Sequence, residues 1–405
     1  MSSPDGMTCC SCCSCCTPPM CLGVCAAADS TIMRAFVRST AGKWTGFGGV
    51  SMKRIAALDG WRAISIALVL IGHLVNYRWG IGGPKVASFA AYNAQLGVKV
   101  FFVISGYLIT TLSLKEEIST GGLHVGGFYL RRAFRILPAF FVYLLAVAAI
   151  ALPGWIDQSS IGIQRAAEFS CDIPGRDCGW FANHTWSLAY EQQFYLLFPL
   201  IFMATLGTRL RWVLAVHLLV VAAPFVALFT GDVWHDALAF SAGFSSITMG
   251  VLLALLVPRL RHWVGRPDAL AVALGAFAGS VLVVGLNLLH LSYAVRTAVD
   301  GVLLPPAVAW LIYTSVHSDG VFTRLLDARP VRYIGAISYS LYLWQQLFTG
   351  PAARYADVTW FVPLLALPAA ALSYHFIEQP FIRWGRALSH RVTGRGAVAR
   401  SPSAG

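Results

Sequence analysis

Charge is what this sequence has little of. Only 12% of its 405 residues are Asp, Glu, Lys or Arg, and 57% are hydrophobic, whereas soluble domains are about 25% charged. That shortage excludes an ordinary water-soluble enzyme and leaves an integral membrane protein. The apolar stretches also lack the period-two alternation of barrel strands, so of the two backbone solutions open in lipid the helix is selected. No internal repeat and no soluble catalytic domain is visible. The first 51 residues lack a basic region followed by an apolar core, so they do not read as a signal peptide.

What is present is a series of apolar windows of roughly 20 residues, about ten in all, near 57–77, 93–114, 134–152, 185–206, 212–231, 239–257, 268–290, 297–317, 333–350 and 357–382. The expected fold is all-α, a polytopic bundle of about ten transmembrane helices. The formal net charge of +12 is distributed unevenly. If the residues before the first span are cytoplasmic, that side holds 19 Lys/Arg from Lys53 onward and the other side 6. Such asymmetry places both termini in the cytoplasm of a multi-pass cell-membrane protein, and it explains the basic charge without a nucleic-acid partner.

Ten cysteines fall into two groups. Eight lie between Cys9 and Cys25 with no histidine among them and no zinc-ligand spacing, so no metal site is expected. Residues 1–51 read as an unstructured, Cys-rich extension, with Met52-Lys53-Arg54 a natural beginning. Residues 52–385 form the membrane domain, and 386–405 a basic cytoplasmic tail. Cys171 and Cys178 fall in the 153–184 loop on the outer side, where a disulfide can persist.

The first span, LDGWRAISIALVLIGHL, carries Arg62 and His73. Eleven residues make almost three turns, so the two share a face about 16 Å apart along the axis. Ionisable groups inside a span are costly and mark pathways, ligands or reactions. Arg62 can snorkel to an interface and His73 can serve helix–helix hydrogen bonding, so residue type alone leaves both readings open. FYLRRAFRILPAFF puts Arg131, Arg132 and Arg135 at the inner surface, with Arg132 and Arg135 on one face. This is either a topogenic cluster or, with Arg62 at the same depth, an anion site.

In HTWSLAYEQQFYLLFPL, Ser187, Glu191 and Tyr195 form one stripe, and Glu191 lies at the expected depth of His73, as a partner that would orient the imidazole and raise its basicity. The alternative is a polar network that holds the bundle together. Ser105-Gly106 reads as a small-residue packing notch or as room for a thin ligand. Tyr339, Trp344 and Gln345, within YIGAISYSLYLWQQLF, belong to a span polar enough to face a cavity. Glu378 in HFIEQPF falls near the inner surface among arginines.

Six motifs in order, LDGWRAISIALVLIGH, FFVISGYLI, FYLRRAFRILP, WSLAYEQQFYLLFP, SYSLYLW and FIEQPF, run from about Lys53 to Trp384. Over that stretch the chain resembles the acyltransferase-3 membrane O-acyltransferases, which include acetylases of O-antigen, exopolysaccharide and Nod factor. The resemblance implies a ten-helix core that moves an acyl group, commonly acetyl, from cytoplasmic acyl-CoA to a hydroxyl of a glycan. It makes Arg62, His73, Arg132, Arg135 and Glu191 the functional positions. Two departures stand out: Gln192 where many members have Glu, and Gln345-Gln346 where members fused to a hydrolase-like domain often have His.

The mechanism so implied has the CoA phosphates on Arg62, Arg132 and Arg135 and the pantetheine arm passing Ser105. His73, oriented by Glu191, is the general base, or alternatively carries the acyl group. Tyr339, Trp344 and Gln345 would contact the acceptor. The rival class is a transporter or flippase of a glycan or lipid-linked precursor, which intramembrane charge also suits.

Overall fold

The computed structural model describes residues 52–79, 83–230, 235–260, 293–317, 321–350 and 362–393, with 274, 275 and 278. Residues 1–51, including the eight-cysteine segment, lie outside these, as does nearly all of the span expected at 268–290. Every described element is helical. In chain order these are α1 (Met52–His73, continuing as a π turn Leu74–Trp79), α2 (Gly83–Thr120), α3 (Val125–Ala151), α4 (Ser160–Ala167) and α5 (Trp180–Asn183). Then come α6 (Trp186–Ala204), α7 (Arg209–Thr230), α8 (His235–Leu260), α9 (Tyr293–His317), α10 (Val321–Leu326), α11 (Arg329–Ala336) and α12 (Ser338–Phe348). A 3₁₀ turn, Val362–Leu365, leads into α13 (Ala366–Ser373), a π turn Tyr374–Glu378 and α14 (Gln379–Val392).

Four described segments are long and apolar enough to cross a membrane: Ala57–Asn76, Val86–Thr120, Val125–Ala151 and Gly243–Leu260. The expectation at 333–350 is corrected in form. The helix breaks at Ile337 (φ −87°, ψ 2°) into α11 of 8 residues and α12 of 11, each too short alone to span about 30 Å of hydrocarbon. The break lets Gly335 bring its backbone against the backbone of Asp59, a spot any Cβ would occupy. The last expected span is also interrupted, and the segment assigned to a tail from 386 is helical to Val392, with Gly385 and Ser389 packed against α3.

Small residues decide where the long helices meet. A Cβ on Gly106 of α2 would strike the carbonyl oxygen of Ile247 on α8, and one on Gly250 of α8 would strike that of Val103 on α2. This reciprocal pair brings two backbones into contact, which is how helices associate where lipid removes the hydrophobic drive. Around the crossing, Leu96, Val100, Ile104 and Tyr107 of α2 pack with Leu253, Val257, Leu304 and Ile312.

One end of the bundle is closed by the 153–184 segment. Cys171 and Cys178 are joined in a disulfide. Gln158 donates to the Cys178 carbonyl at 2.7 Å and accepts from the Phe181 amide at 3.2 Å, while the Tyr143 hydroxyl donates to the Phe181 carbonyl. The segment thus forms a fixed roof over α3, α6 and α12.

Candidate functional site

Among the described residues, two cavities inside the bundle gather the expected site residues. The first is narrow, about 90 Å³, and is lined by Arg62, Ser105, Arg132, Arg135, Glu191 and Tyr195, with Ser187, Tyr339 and Tyr342. Arg62 and Ser105 come from α1 and α2, the two arginines from successive turns of α3, and the Ser187–Glu191–Tyr195 stripe from α6, as the i, i+4 spacing requires.

Arg62 donates to Asp59 at 3.0 Å. Arg132 lies over the Tyr195 ring, 5.6 Å from its centroid, and among the described residues neither Arg132 nor Arg135 has an acidic partner within ion-pair distance. Arg135 instead stands close enough to Arg62 for mutual repulsion. Three guanidinium groups beside one cavity, two of them unneutralised by a carboxylate contact, make a site that a phosphate or another anion would satisfy. Arg131 points elsewhere, donating to Glu116 at 2.6 Å and Ser389 at 2.9 Å.

Arg132 also lines an outer cavity of about 340 Å³, with Lys115, Arg131, Arg386 and His390. The basic lining therefore continues outward from the narrow cavity. Glu378 is buried and accepts from Ser340 at 3.0 Å, within electrostatic reach of Arg135 and Arg62.

The second cavity is wider, about 660 Å³, and lies under the roof. His73, Gln95, Asp157, Asp177, Trp180, Asn183, His184 and Trp186 line it. Val98 and Tyr342 line both cavities and so form the wall they share. The Tyr342 hydroxyl shares a hydrogen bond with Ser187 Oγ at 2.7 Å and lies 2.8 Å from the His184 carbonyl.

The expected pairing of Glu191 with His73 is corrected. Glu191 accepts from Ser105 at 2.5 Å and from Tyr195 at 3.0 Å, on the arginine side. Ser105 and Tyr195 each take one of its two carboxylate oxygens and hold it facing the narrow cavity. His73 is held by Gln345, whose Oε1 is 2.9 Å from Nδ1.

The side-chain amides fix the tautomer. Gln346 Nε2 donates to the Trp180 carbonyl, an obligatory acceptor, at 2.9 Å. Gln346 Oε1 therefore faces Gln345 and accepts from its Nε2 at 3.0 Å. Gln345 Oε1 then faces His73, so Nδ1 carries the proton and Nε2 of the neutral ring carries the lone pair a base needs.

Three residues assigned to the acceptor change role. Gln345 is fully buried and positions His73. Tyr339 lines the narrow cavity, donating to the Ile136 carbonyl at 2.8 Å. Trp344 lines neither cavity and packs edge-on against Tyr143, because its face of α12 turns toward the apolar cluster of α3. His184, which opens the HTWSL motif, also lines the wide cavity.

The family profile described as an acyltransferase domain, acyltransferase-3, matches residues 55–377. The chain belongs to the acyltransferase-3 family. It is 31% identical over 374 residues to a Staphylococcus aureus (strain COL) protein named "Putative O-acetyltransferase", covering 84% of this chain and 59% of that protein. It is 27% identical over 388 residues to the O-acetyltransferase OatA of S. aureus (strain NCTC 8325), covering 87% of this chain and 61% of that one. The chain thus spans about three-fifths of the length of these curated relatives. No solved structure matches it.

Proposed function

We propose that this acyltransferase-3 protein is a membrane O-acetyltransferase that moves an acetyl group from cytoplasmic acetyl-CoA to a hydroxyl of a glycan such as a surface polysaccharide or lipid-linked sugar. The observation that carries this reading is that a cavity lined by Arg62, Arg132 and Arg135 and a cavity lined by His73 adjoin across Val98 and Tyr342. The names of the staphylococcal relatives favour acetyl as the group moved. In this reading the bundle has about ten spans, sits in the cell membrane and keeps both termini in the cytoplasm.

The phosphates of the donor bind Arg132 and Arg135 and extend into the basic outer cavity of Lys115 and Arg386. The thin pantetheine arm passes Ser105 and brings the thioester to the junction at Tyr342. The acceptor enters from the roof side. His73 Nε2 takes the proton of the acceptor hydroxyl as its oxygen attacks the thioester carbonyl. The C–S bond then breaks, and the proton returns to the leaving thiolate, giving one ester and one free CoA thiol. Glu191, hydrogen-bonded to Ser105 and Tyr195, sets the wall of the donor channel and does not act as the partner of His73.

The test is purified protein in nanodiscs given acetyl-CoA labelled in the acetyl group and a neutral oligosaccharide. Base-labile label on the sugar is expected. Passage of the sugar across a vesicle membrane with no ester formed would overturn the reading in favour of a transporter.

A further inference from the structure

The outer cavity of about 340 Å³ draws its cations from three helices. Lys115 comes from α2, Arg131 and Arg132 from α3, and Arg386 and His390 from α14. The last two are one turn apart on α14 and so share a face. That helix is fixed beside α3: a Cβ on Gly385 would strike Phe134, and the Ser389 hydroxyl accepts from Arg131 at 2.9 Å. Arg386 and His390 belong to the segment that the sequence suggested as a tail, yet packing brings them to the cavity.

The charges of this lining do not balance. Glu116, its one acid among the described residues, accepts from Arg131 at 2.6 Å and from the His124 amide at 3.4 Å, so those two opposite charges cancel. Lys115, Arg132 and Arg386 remain, and among the described residues none of them has an acidic side chain within ion-pair distance. Three like charges around one space repel one another, and a dianion placed there offsets that cost. A phosphate monoester carries about −1.5 to −2 near pH 7.

The order of groups along the donor says which phosphate this is. In a CoA thioester the pyrophosphate joins the pantetheine arm to the 5′ carbon of the ribose, and a monoester sits on the 3′ carbon at the far end. Arg132 belongs to both linings, whereas Arg62 and Arg135 belong to the narrow one. With the arm in the narrow cavity, the pyrophosphate reaches Arg132 and Arg135, and the monoester falls beyond them at Lys115 and Arg386.

We propose that the outer cavity is a subsite for the ribose 3′-phosphate of the donor, held by Lys115 and Arg386 with His390 beside them. The protein then selects acyl-CoA over dephospho-CoA thioesters and over acyl groups on a carrier protein, whose phosphopantetheine has no nucleotide. This rests on the acyl-CoA reading of the donor, but binding tests it without chemistry.

The experiment is calorimetric titration of the full chain in phosphatidylcholine nanodiscs, without acceptor. The ligands are acetyl-CoA and its 3′-dephospho form, with adenosine 3′,5′-bisphosphate and AMP as probes that lack the arm. Acetyl-CoA is expected to bind about 10- to 100-fold more tightly than the dephospho form, the size of charge-assisted hydrogen bonds to one phosphate. Arg386→Ala and Lys115→Ala should each weaken acetyl-CoA about tenfold. Both should leave the dephospho form unchanged, which shows that they are folded. Arg386→Lys should recover part of the loss, and Arg135→Ala should weaken both thioesters alike. Discs of phosphatidylglycerol should show the same preference.

Equal affinity for the two thioesters, or an unaltered preference in both Arg386→Ala and Lys115→Ala, would overturn the assignment and leave the donor reading intact. A preference lost in phosphatidylglycerol would give the cavity to a lipid phosphate and overturn it too. Adenosine 3′,5′-bisphosphate bound in preference to AMP, with no ester formed from acetyl-CoA, would leave the subsite standing and defeat the transfer reading instead.

Discussion

His73 Nδ1 and Gln345 Oε1 lie 2.9 Å apart although 272 residues separate them in the chain. Gln345 is locked in turn by Thr349, whose hydroxyl donates to the same Oε1 at 2.9 Å, and by Gln346, which reaches the Trp180 carbonyl in the roof. The orientation of the His73 imidazole is therefore set by the segment that closes the wide cavity.

Removing the base and removing its holder should differ in degree. His73→Ala should lower turnover about 10²- to 10⁴-fold, the usual contribution of a positioned acid–base group. Gln345→Leu should cost about tenfold in kcat, with the KM for acetyl-CoA unchanged, since only one orienting hydrogen bond is lost. Initial rates with labelled acetyl-CoA check both, and full activity in His73→Ala excludes it as the base.

The paired arginines should act on the donor. Arg132→Ala and Arg135→Ala should each raise the KM for acetyl-CoA about 10- to 100-fold, the worth of a charge-assisted hydrogen bond. Lysine at either position should restore only part, for want of the forked geometry. Arg131→Ala breaks the contacts to Glu116 and Ser389 and, because Arg131 lines only the outer cavity, should raise that KM less than either. A uniform effect of all three substitutions would identify a topogenic cluster instead.

The α2–α8 crossing should tolerate no side chain. Gly106→Val or Gly250→Val drives a side chain into a facing backbone carbonyl and should cost about 1–3 kcal/mol or more, as overpacking does. Lower thermal stability in detergent, with less protein recovered folded, is the expected outcome. Unchanged melting of both variants would mean that the helices do not cross there.

Arg209 and Glu117 form a two-pronged pair at 2.6 and 2.9 Å, with the guanidinium 3.6 Å from the centre of the Phe202 ring. Both side chains are 12% exposed. Glu117→Ala strands the guanidinium and should destabilise by about 3 kcal/mol, at the lower end of the range for fully buried pairs. The check is the melting temperature, with KM for acetyl-CoA unaffected. Loss of donor affinity without loss of stability would move this pair into the donor path.

Burial pushes the His184 imidazole down to about 3, with the nearby His73 adding to the effect. The unfolded chain binds a proton near the ordinary histidine value of about 6.5, so the unfolded state is favoured increasingly as pH falls from there toward 3. The stability His184 contributes is whole above that window and lost within it. His184→Phe should move the acid-unfolding midpoint to lower pH. A midpoint that stays put would show that His184 is not kept neutral by the fold.

Much of this was legible in the chain because its causes are local or periodic. Eleven residues between Arg62 and His73 fix their common face, four between Ser187 and Glu191 and between Glu191 and Tyr195 fix theirs, and three separate Arg132 from Arg135. The arginine cradle followed from those spacings, and the structure brings the same residues to one cavity. The packing reading of Gly106 holds as well, while Ser105, one residue away, hydrogen-bonds Glu191.

The amino-acid sequence by itself determined that the chain is helical and apolar, which residues share a helix face, and which motifs tie it to its family, because helix periodicity and hydropathy are carried by neighbours along the chain. Only the tertiary structure decided who meets whom across helices: that Gln345 and not Glu191 holds His73, that Trp344 turns into the apolar core, and that His184 is buried between Tyr143 and Tyr342. Those outcomes depend on how the helices lie against one another, which no spacing within a single span can encode.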